Sequence, residues 1–116
     1  MTTMAAPRPG VQERILLHLR DYVDHADKVE VPFALSQMGI ANAVAIARSN
    51  VPRAIAGMRE QGHLIERQAH VSGVSRKRKA YFLTEEGAGI ADGIWAKVST
   101  QIIRLVHRDG RSESME

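Results

Sequence analysis

The chain has 116 residues, enough for one domain with a single hydrophobic core and too few for two. Its 44% hydrophobic and 25% charged residues are typical of a globular protein, and no apolar run approaches the ~20 residues of a membrane span. No signal segment opens the sequence, and the absence of cysteine excludes disulfides and cysteine-zinc sites. A cytoplasmic protein without contact with membranes is therefore expected.

The formal net charge of +3 is unevenly distributed. Residues 48–79 contain eight arginines and lysines and two glutamates, a charge of +6, whereas the rest of the chain carries −3. One contiguous segment is thus more basic than the whole protein, as expected of a surface that binds a polyanion. Charge alone leaves open the alternative of a solvated basic loop.

The first third of the chain predicts a loose arm, a helix and a short extended segment. Residues 1–10 lack periodicity and contain two prolines and a glycine, which indicates a flexible arm. From Val11 apolar residues recur at helical spacing, and this helix should end near His25. Residues 29–33 predict an extended segment, in which Pro32 favours an edge strand or a connector.

Two short helices should follow, joined by a tight turn at residues 45–47. Ser36 is suited to cap the first helix, which should end near residue 44. The second should begin at about Asn50, with Ser49 or Asn50 supplying the capping oxygen, because Pro52 then falls where a missing amide does no harm. It should end at Gly62, a residue suited to the left-handed position after a helix.

A β-hairpin and a long helix complete the predicted elements. Residues 63–71 suit one strand and residues 80–83 the returning strand, with a turn and the basic run 76–79 between them. Thr84 should then cap a helix over residues 85–107. Residues 108–116 predict a flexible polar tail.

This order of elements is that of a winged helix-turn-helix domain, mainly α-helical with a small β-hairpin. Residues 35–62, LSQMGIANAVAIARSNVPRAIAGMREQG, strongly resemble the helix-turn-helix core of MarR-like regulators. The following HLIER, the basic loop and YFLTEEG resemble that family's wing and its entry to the next helix. The resemblance covers about residues 11–90 and implies a winged-helix domain at 11–84. It implies a transcription regulator that binds specific double-stranded DNA, more simply as a repressor than as an activator.

The resemblance also implies which residues contact DNA. The recognition helix corresponds to residues 48–59, and the exposed residues at its start are Arg48, Ser49, Asn50 and Arg53. A helix fits the major groove, arginine can donate two hydrogen bonds to guanine, and asparagine can pair with adenine. The implied wing cations are Arg76, Lys77, Arg78 and Lys79. Because side chains alternate along a strand, only about half of them can face DNA, and Arg76 with Arg78 is the favoured pair.

The predicted last helix is longer than one face of so small a domain requires. An exposed apolar stripe usually marks a surface that binds a partner, so a homodimer is expected. The predicted dimer interface consists of Ile94, Trp95, Val98, Ile102 and Leu105. Dimerisation would place two recognition helices about one DNA turn apart.

No catalytic, metal-binding or cofactor-binding motif is found in the sequence. His18, Asp21, Tyr22 and His25 share a helical face, but their spacing is loose and no further strong ligand follows. No phosphate-binding glycine loop or nucleophile elbow is present, so an enzyme is not expected. Ligand-sensing relatives build a pocket from extra helices at both ends, and this sequence gives little support for a small-molecule effector.

Two alternative functions compete with DNA binding. A winged helix used for protein contacts, as an adaptor in a larger complex, should present an apolar recognition helix, and Arg48, Asn50 and Arg53 argue against it. Binding of RNA or single strands needs exposed aromatic residues. The aromatic residues of this chain are expected to be buried.

Overall fold

The computed structural model describes the backbone of residues 10–114 and the side chains of residues 10–102. Its helices and strands are α1 (Val11–Arg20), β1 (Glu30–Val31), α2 (Gln37–Val44), α3 (Val51–Glu60), β2 (Leu64–Val71), β3 (Lys77–Leu83) and α4 (Glu85–Ser114). This order confirms the predicted fold class, a winged helix-turn-helix that is mainly α-helical. No helix within the described part of the chain is long and apolar enough to cross a bilayer.

Helix α1 is shorter than its apolar pattern predicts. It begins after Gly10, whose amide donates to Glu13 Oε1 at 2.9 Å, and it ends at Arg20. The last apolar residue of the pattern, Val23, lies in a separate 3-10 turn that ends at His25. The predicted α-helix end near His25 is therefore wrong, since aspartate and β-branched valine in this stretch are weaker helix formers.

Helix α2 begins and ends as the sequence predicts. Ser36 Oγ accepts a hydrogen bond from the Gly39 amide at 3.1 Å, which confirms the predicted N-cap. Ala45 ends the helix in the left-handed conformation, with φ of 59°. Gly39 allows the helix to lie against the preceding 3-10 turn, because an added Cβ would overlap the Phe33 carbonyl oxygen.

Helix α3 begins directly after Asn50, as predicted, but without the predicted side-chain cap. A 3-10 turn at Arg48–Asn50 leads into it, and the Asn50 side chain makes no capping hydrogen bond, so the predicted capping oxygen is wrong. The 3-10 turn is held by backbone bonds, such as that from Asn50 N to the Ala47 carbonyl at 2.9 Å. Gly62 follows the helix with φ of 81°, as predicted.

A three-stranded sheet in the order β1-β2-β3 forms the wing and its base. The edge strand β1 runs parallel to β2, with Glu30 opposite His70, which confirms the predicted edge position. The antiparallel β2-β3 pairing extends from Leu64 opposite Leu83 to His70 opposite Lys77. Strand β3 thus begins three positions earlier than predicted. Most of the basic run therefore belongs to the ladder. The strand can accommodate these residues because their long charged side chains extend into solvent.

The hydrophobic core lies between α1, α2, α3, the three-stranded sheet and the first turns of α4. Helix α3 contributes the predicted residues Val51, Ile55 and Met58, all buried. The largest buried side chains of the remaining elements are Ile15, Leu19, Val31, Leu35, Ile40, Tyr81 and Phe82. Burial of each such side chain contributes roughly 1.5–3 kcal/mol, so the core fixes where α3 and the hairpin stand relative to each other.

The start of α4 is bonded to the end of α3. Thr84 Oγ1 accepts from the Gly87 amide at 3.0 Å, which confirms the predicted cap, and donates to the Gly62 carbonyl at 2.6 Å. An added Cβ at Gly87 would overlap the His63 carbonyl oxygen. This junction couples the orientation of α4 to that of the helix before the wing.

Helix α4 continues to Ser114, beyond the predicted end at residue 107. The predicted helix end at residue 107 is therefore wrong. Residues 1–9 of the predicted arm and residues 115–116 lie outside the described residues.

Candidate nucleic-acid interface

The start of α3 extends polar side chains into solvent. Arg48, Ser49, Asn50 and Arg53 are all exposed, whereas Val51 between them is fully buried. Within residues 10–102, neither arginine lies within ion-pair distance of a carboxylate. The buried valine anchors the helix start, so the charged side chains around it are held outward.

The wing extends its basic run beyond the core. Arg76, Lys77, Arg78 and Lys79 are all exposed, and the ladder places Lys77 opposite His70 and Arg78 opposite Ala69. Lys79 differs from its neighbours because its Nζ lies 3.8 Å from Glu66 Oε2. Its charge is therefore already partly neutralised by the protein.

A groove joins the helix start to the wing. It encloses about 470 Å³, and its lining residues are Phe33, Ser36, Gln37, Met38, Arg48, Val74, Arg78 and Lys79. Arg48 therefore lies on the same side of the molecule as two of the four wing cations. The groove brings together Arg48, Arg78 and Lys79 of the predicted set, and the other predicted residues do not line it.

Strand alternation does not decide which wing cations share a surface. The sequence favours Arg76 with Arg78, but the groove contains Arg78 with its direct neighbour Lys79. Long flexible side chains from either face of the hairpin can turn to the same side.

Two other arginines of the basic segment are engaged in the structure. The Arg67 guanidinium lies 4.7 Å from the Phe82 ring and donates to the Lys28 carbonyl at 2.9 Å. Arg59 Nη1 lies 3.3 Å from Glu66 Oε1. The charge of +6 therefore overstates what this segment offers to a polyanion.

Sequence reasoning missed two apolar residues at the groove. Phe33 and Met38 are 39% and 42% exposed, so the expected burial of the aromatic residues is wrong for Phe33. Phe33 begins the 3-10 turn just before the Ser36 cap. At this position its side chain lines the groove together with Arg48. The sequence signal that could have indicated this exposure is the position of Phe33 directly after Pro32.

The base of the wing contains a polar cluster beneath the groove. Gln37 Nε2 donates to the Tyr81 hydroxyl at 3.0 Å, and Glu66 lies beside the same hydroxyl. Burial raises the pKa of Tyr81, and the negative charge of Glu66 raises it further. The hydroxyl is thus kept neutral and links α2 to β3.

Helix α4 exposes part of its predicted interface stripe. Trp95 and Ile102 are 42% and 49% exposed, whereas Ile94 is half-buried against the core and Val98 is half-buried. The expected burial of Trp95 is therefore wrong. The Leu105 side chain lies outside the described residues.

The four residues weighed as a metal site do not share one helical face, because α1 ends at Arg20 and His25 lies in the following 3-10 turn. His18 Nε2 is bonded to the Ala34 carbonyl oxygen at 2.8 Å, and its ring packs beside Tyr22. Among the side chains that the structure describes, no group of three or more His, Asp or Glu residues could hold a metal ion.

No known protein-family model matches the chain, and no curated protein sequence matches it. Solved structures do. A variant of Staphylococcus aureus MepR superposes with a TM-score of 0.66 at 17% identity, covering 93% of this chain and 72% of that one. The S. aureus MepR–DNA complex gives 0.64 at 16% identity, with coverages of 93% and 72%. Lactococcus lactis ZitR, described as a zinc-responsive MarR family member, gives 0.64 at 20% identity, with coverages of 92% and 64%.

These structural matches confirm the fold at low sequence identity. The chain has the winged-helix fold of MarR-family structures, with a helix start and a basic wing on one side. It spans less than two thirds of the length of ZitR.

Proposed function

We propose that this chain is a transcription regulator that binds double-stranded DNA sequence-specifically. The observation that carries the proposal is the groove that unites Arg48 with Arg78 and Lys79, because DNA requires both elements on one side. The likeness to a winged-helix protein solved in complex with DNA supports it. Binding over a promoter, and hence repression, is the simplest regulatory outcome of such a complex.

In this proposal α3 enters the major groove. Base edges are contacted by Arg48, Asn50 and Arg53, and a phosphate by Ser49. All four side chains are exposed at the N-terminal end of α3, which enters the groove first. The wing cations Arg76, Lys77 and Arg78 contact the adjacent backbone. Lys79 contributes less, because Glu66 is already its partner.

The proposed regulator acts as a homodimer through α4. Trp95 and Ile102 are seven residues apart and so lie on nearly the same side of the helix, where both are substantially exposed. Ile94, Val98 and Leu105 of the predicted stripe would complete the surface. Two recognition helices related by the dimer axis would then contact two DNA half-sites.

The test compares binding to random duplexes and to a duplex selected for tight binding, each at two salt concentrations. Arg53→Ala should cost ~1–3 kcal/mol on the selected duplex and flatten sequence preference, because a base contact is lost. Arg78→Ala should weaken binding to every duplex alike and lower the salt slope by ~0.9, because a phosphate contact is lost.

Lys97→Ala provides the matched control, because it removes one exposed cation from α4, outside the groove. It should change binding less than either arginine substitution. Equal and small effects of all three substitutions would contradict the proposed interface. If the parent protein binds no duplex even at low salt, the alternative of a winged helix that contacts proteins replaces the regulator.

A further inference from the structure

Glu66 holds two cations that come from two elements of the proposed interface. Its Oε1 lies 3.3 Å from Arg59 Nη1 on α3, and its Oε2 lies 3.8 Å from Lys79 Nζ on β3. The Glu66 side chain is only 22% exposed, whereas both cations are about half exposed. Water therefore screens this carboxylate less than an acid on the open surface, and its attraction for the two cations is stronger.

The cations of the interface consequently fall into two classes. Lys77 and Lys79 lie two residues apart on one strand, with side chains on the same face of the ladder. Lys79 is paired with Glu66, whereas Lys77 has no carboxylate within ion-pair distance in residues 10–102. A cation that must first leave a carboxylate gains less by contacting a phosphate, so the two lysines should differ in their value to DNA binding.

We infer that Glu66 is a specificity-determining residue that limits the sequence-independent part of DNA affinity. By retaining Arg59 and Lys79, it keeps two cations from neutralising phosphates on any duplex. Non-specific binding depends mainly on the number of phosphates neutralised, whereas base contacts at the α3 start are unaffected. The ratio of specific to non-specific affinity therefore rises. This inference rests on the proposed function.

Glu66→Gln tests it directly, because the substitution removes the charge and nearly preserves the shape. Affinity for random duplexes at low salt should rise ~3–10-fold, and the salt slope should steepen by ~0.9–1.8, which corresponds to one or two added phosphates. Thermal unfolding of each variant verifies that the fold is kept.

Glu60→Gln is the matched control. It makes the same charge change at an exposed position of α3. Among the described side chains, Glu60 has no cation within ion-pair distance. It should raise affinity less and leave the salt slope unchanged. Equal slopes for the two glutamine variants, or weaker binding by Glu66→Gln, would overturn the inference.

A pair of lysine substitutions gives an independent readout. Lys77→Gln should lower the salt slope by ~0.9 both in the parent and in the Glu66→Gln background. Lys79→Gln should lower the salt slope clearly more in the Glu66→Gln background than in the parent, because only the Glu66→Gln background releases Lys79 from its carboxylate partner. An equal effect of Lys79→Gln in both backgrounds would contradict the inference while leaving DNA binding intact, whereas a parent that binds no duplex would overturn the proposed function and the inference together.

Discussion

The hydroxyl of Tyr81 is a sensitive point at the base of the wing. It accepts a hydrogen bond from Gln37 at 3.0 Å, and burial together with the neighbouring Glu66 raises its pKa above the ordinary value of about 10. Ionisation would place a second negative charge beside Glu66 in a site with little water. The neutral phenol is therefore part of what joins the wing to α2.

This raised pKa predicts a loss of stability at alkaline pH. The unfolded chain releases the tyrosine proton at lower pH than the folded chain, so this contribution is complete below about pH 10 and declines as the pH rises further. Tyr81→Phe cannot ionise and should lose less stability as the pH rises above about 10, as measured by denaturant unfolding. Tyr22→Phe, the other tyrosine of the chain, should behave like the parent. Identical alkaline losses in both variants would refute this assignment.

At the level of residues, the sequence predicts the exposed polar tip of α3 but not the partners of the basic side chains. Arg67 stacks on Phe82, a residue 15 positions away that only the folded hairpin brings beside it. The pairing of Glu66 with Lys79 likewise depends on strand register and on side-chain reach. Charge composition contains neither quantity, so it could not separate the engaged cations from those available to DNA.

At the level of elements, local signals fix most boundaries and fail where helical turns are ambiguous. Ser36, Gly62 and Thr84 mark helix ends by capping and by backbone conformation, and the structure confirms all three. The capping oxygen before α3 was wrongly predicted because Ser49 and Asn50 are equally compatible with a cap and with a tight turn.

The exposed apolar surface of helix α4 leads to a prediction about the dimer. Ile102→Glu should raise the dissociation constant of the proposed dimer at least about tenfold, because a charge would be placed within an apolar contact. Analytical ultracentrifugation measures this shift. Trp95, the only tryptophan, provides a second signal, since its emission should move to longer wavelength when the dimer separates.

Gln101→Glu is the matched control for that substitution. It adds the same charge to an exposed neighbouring position on a different side of α4 and should leave the dimer intact. A monomeric parent at all accessible concentrations, or equal effects of the two substitutions, would show that the exposed Trp95 and Ile102 surface does not join two copies.

At the level of the whole molecule, function depends on how a shared core orients two surface elements. Buried residues of α3 and β3, such as Met58 and Phe82, belong to the same core cluster. The hydrogen bond from Thr84 to the Gly62 carbonyl connects the end of α3 to the start of α4. The sequence could predict the order of these elements and their composition. It could not predict the distance across the groove, because that distance depends on packing among all of them.

The most direct measurement is a map of backbone amide resonances while a short DNA duplex is added to the protein. The amides of residues 48–51, 53 and 76–78 should shift together, with the same dependence on DNA concentration, while those of residues 23–28 remain in place. Shifts confined to only one of the two segments, or centred on residues 23–28, would contradict the claim that the α3 start and the wing bind DNA as one surface.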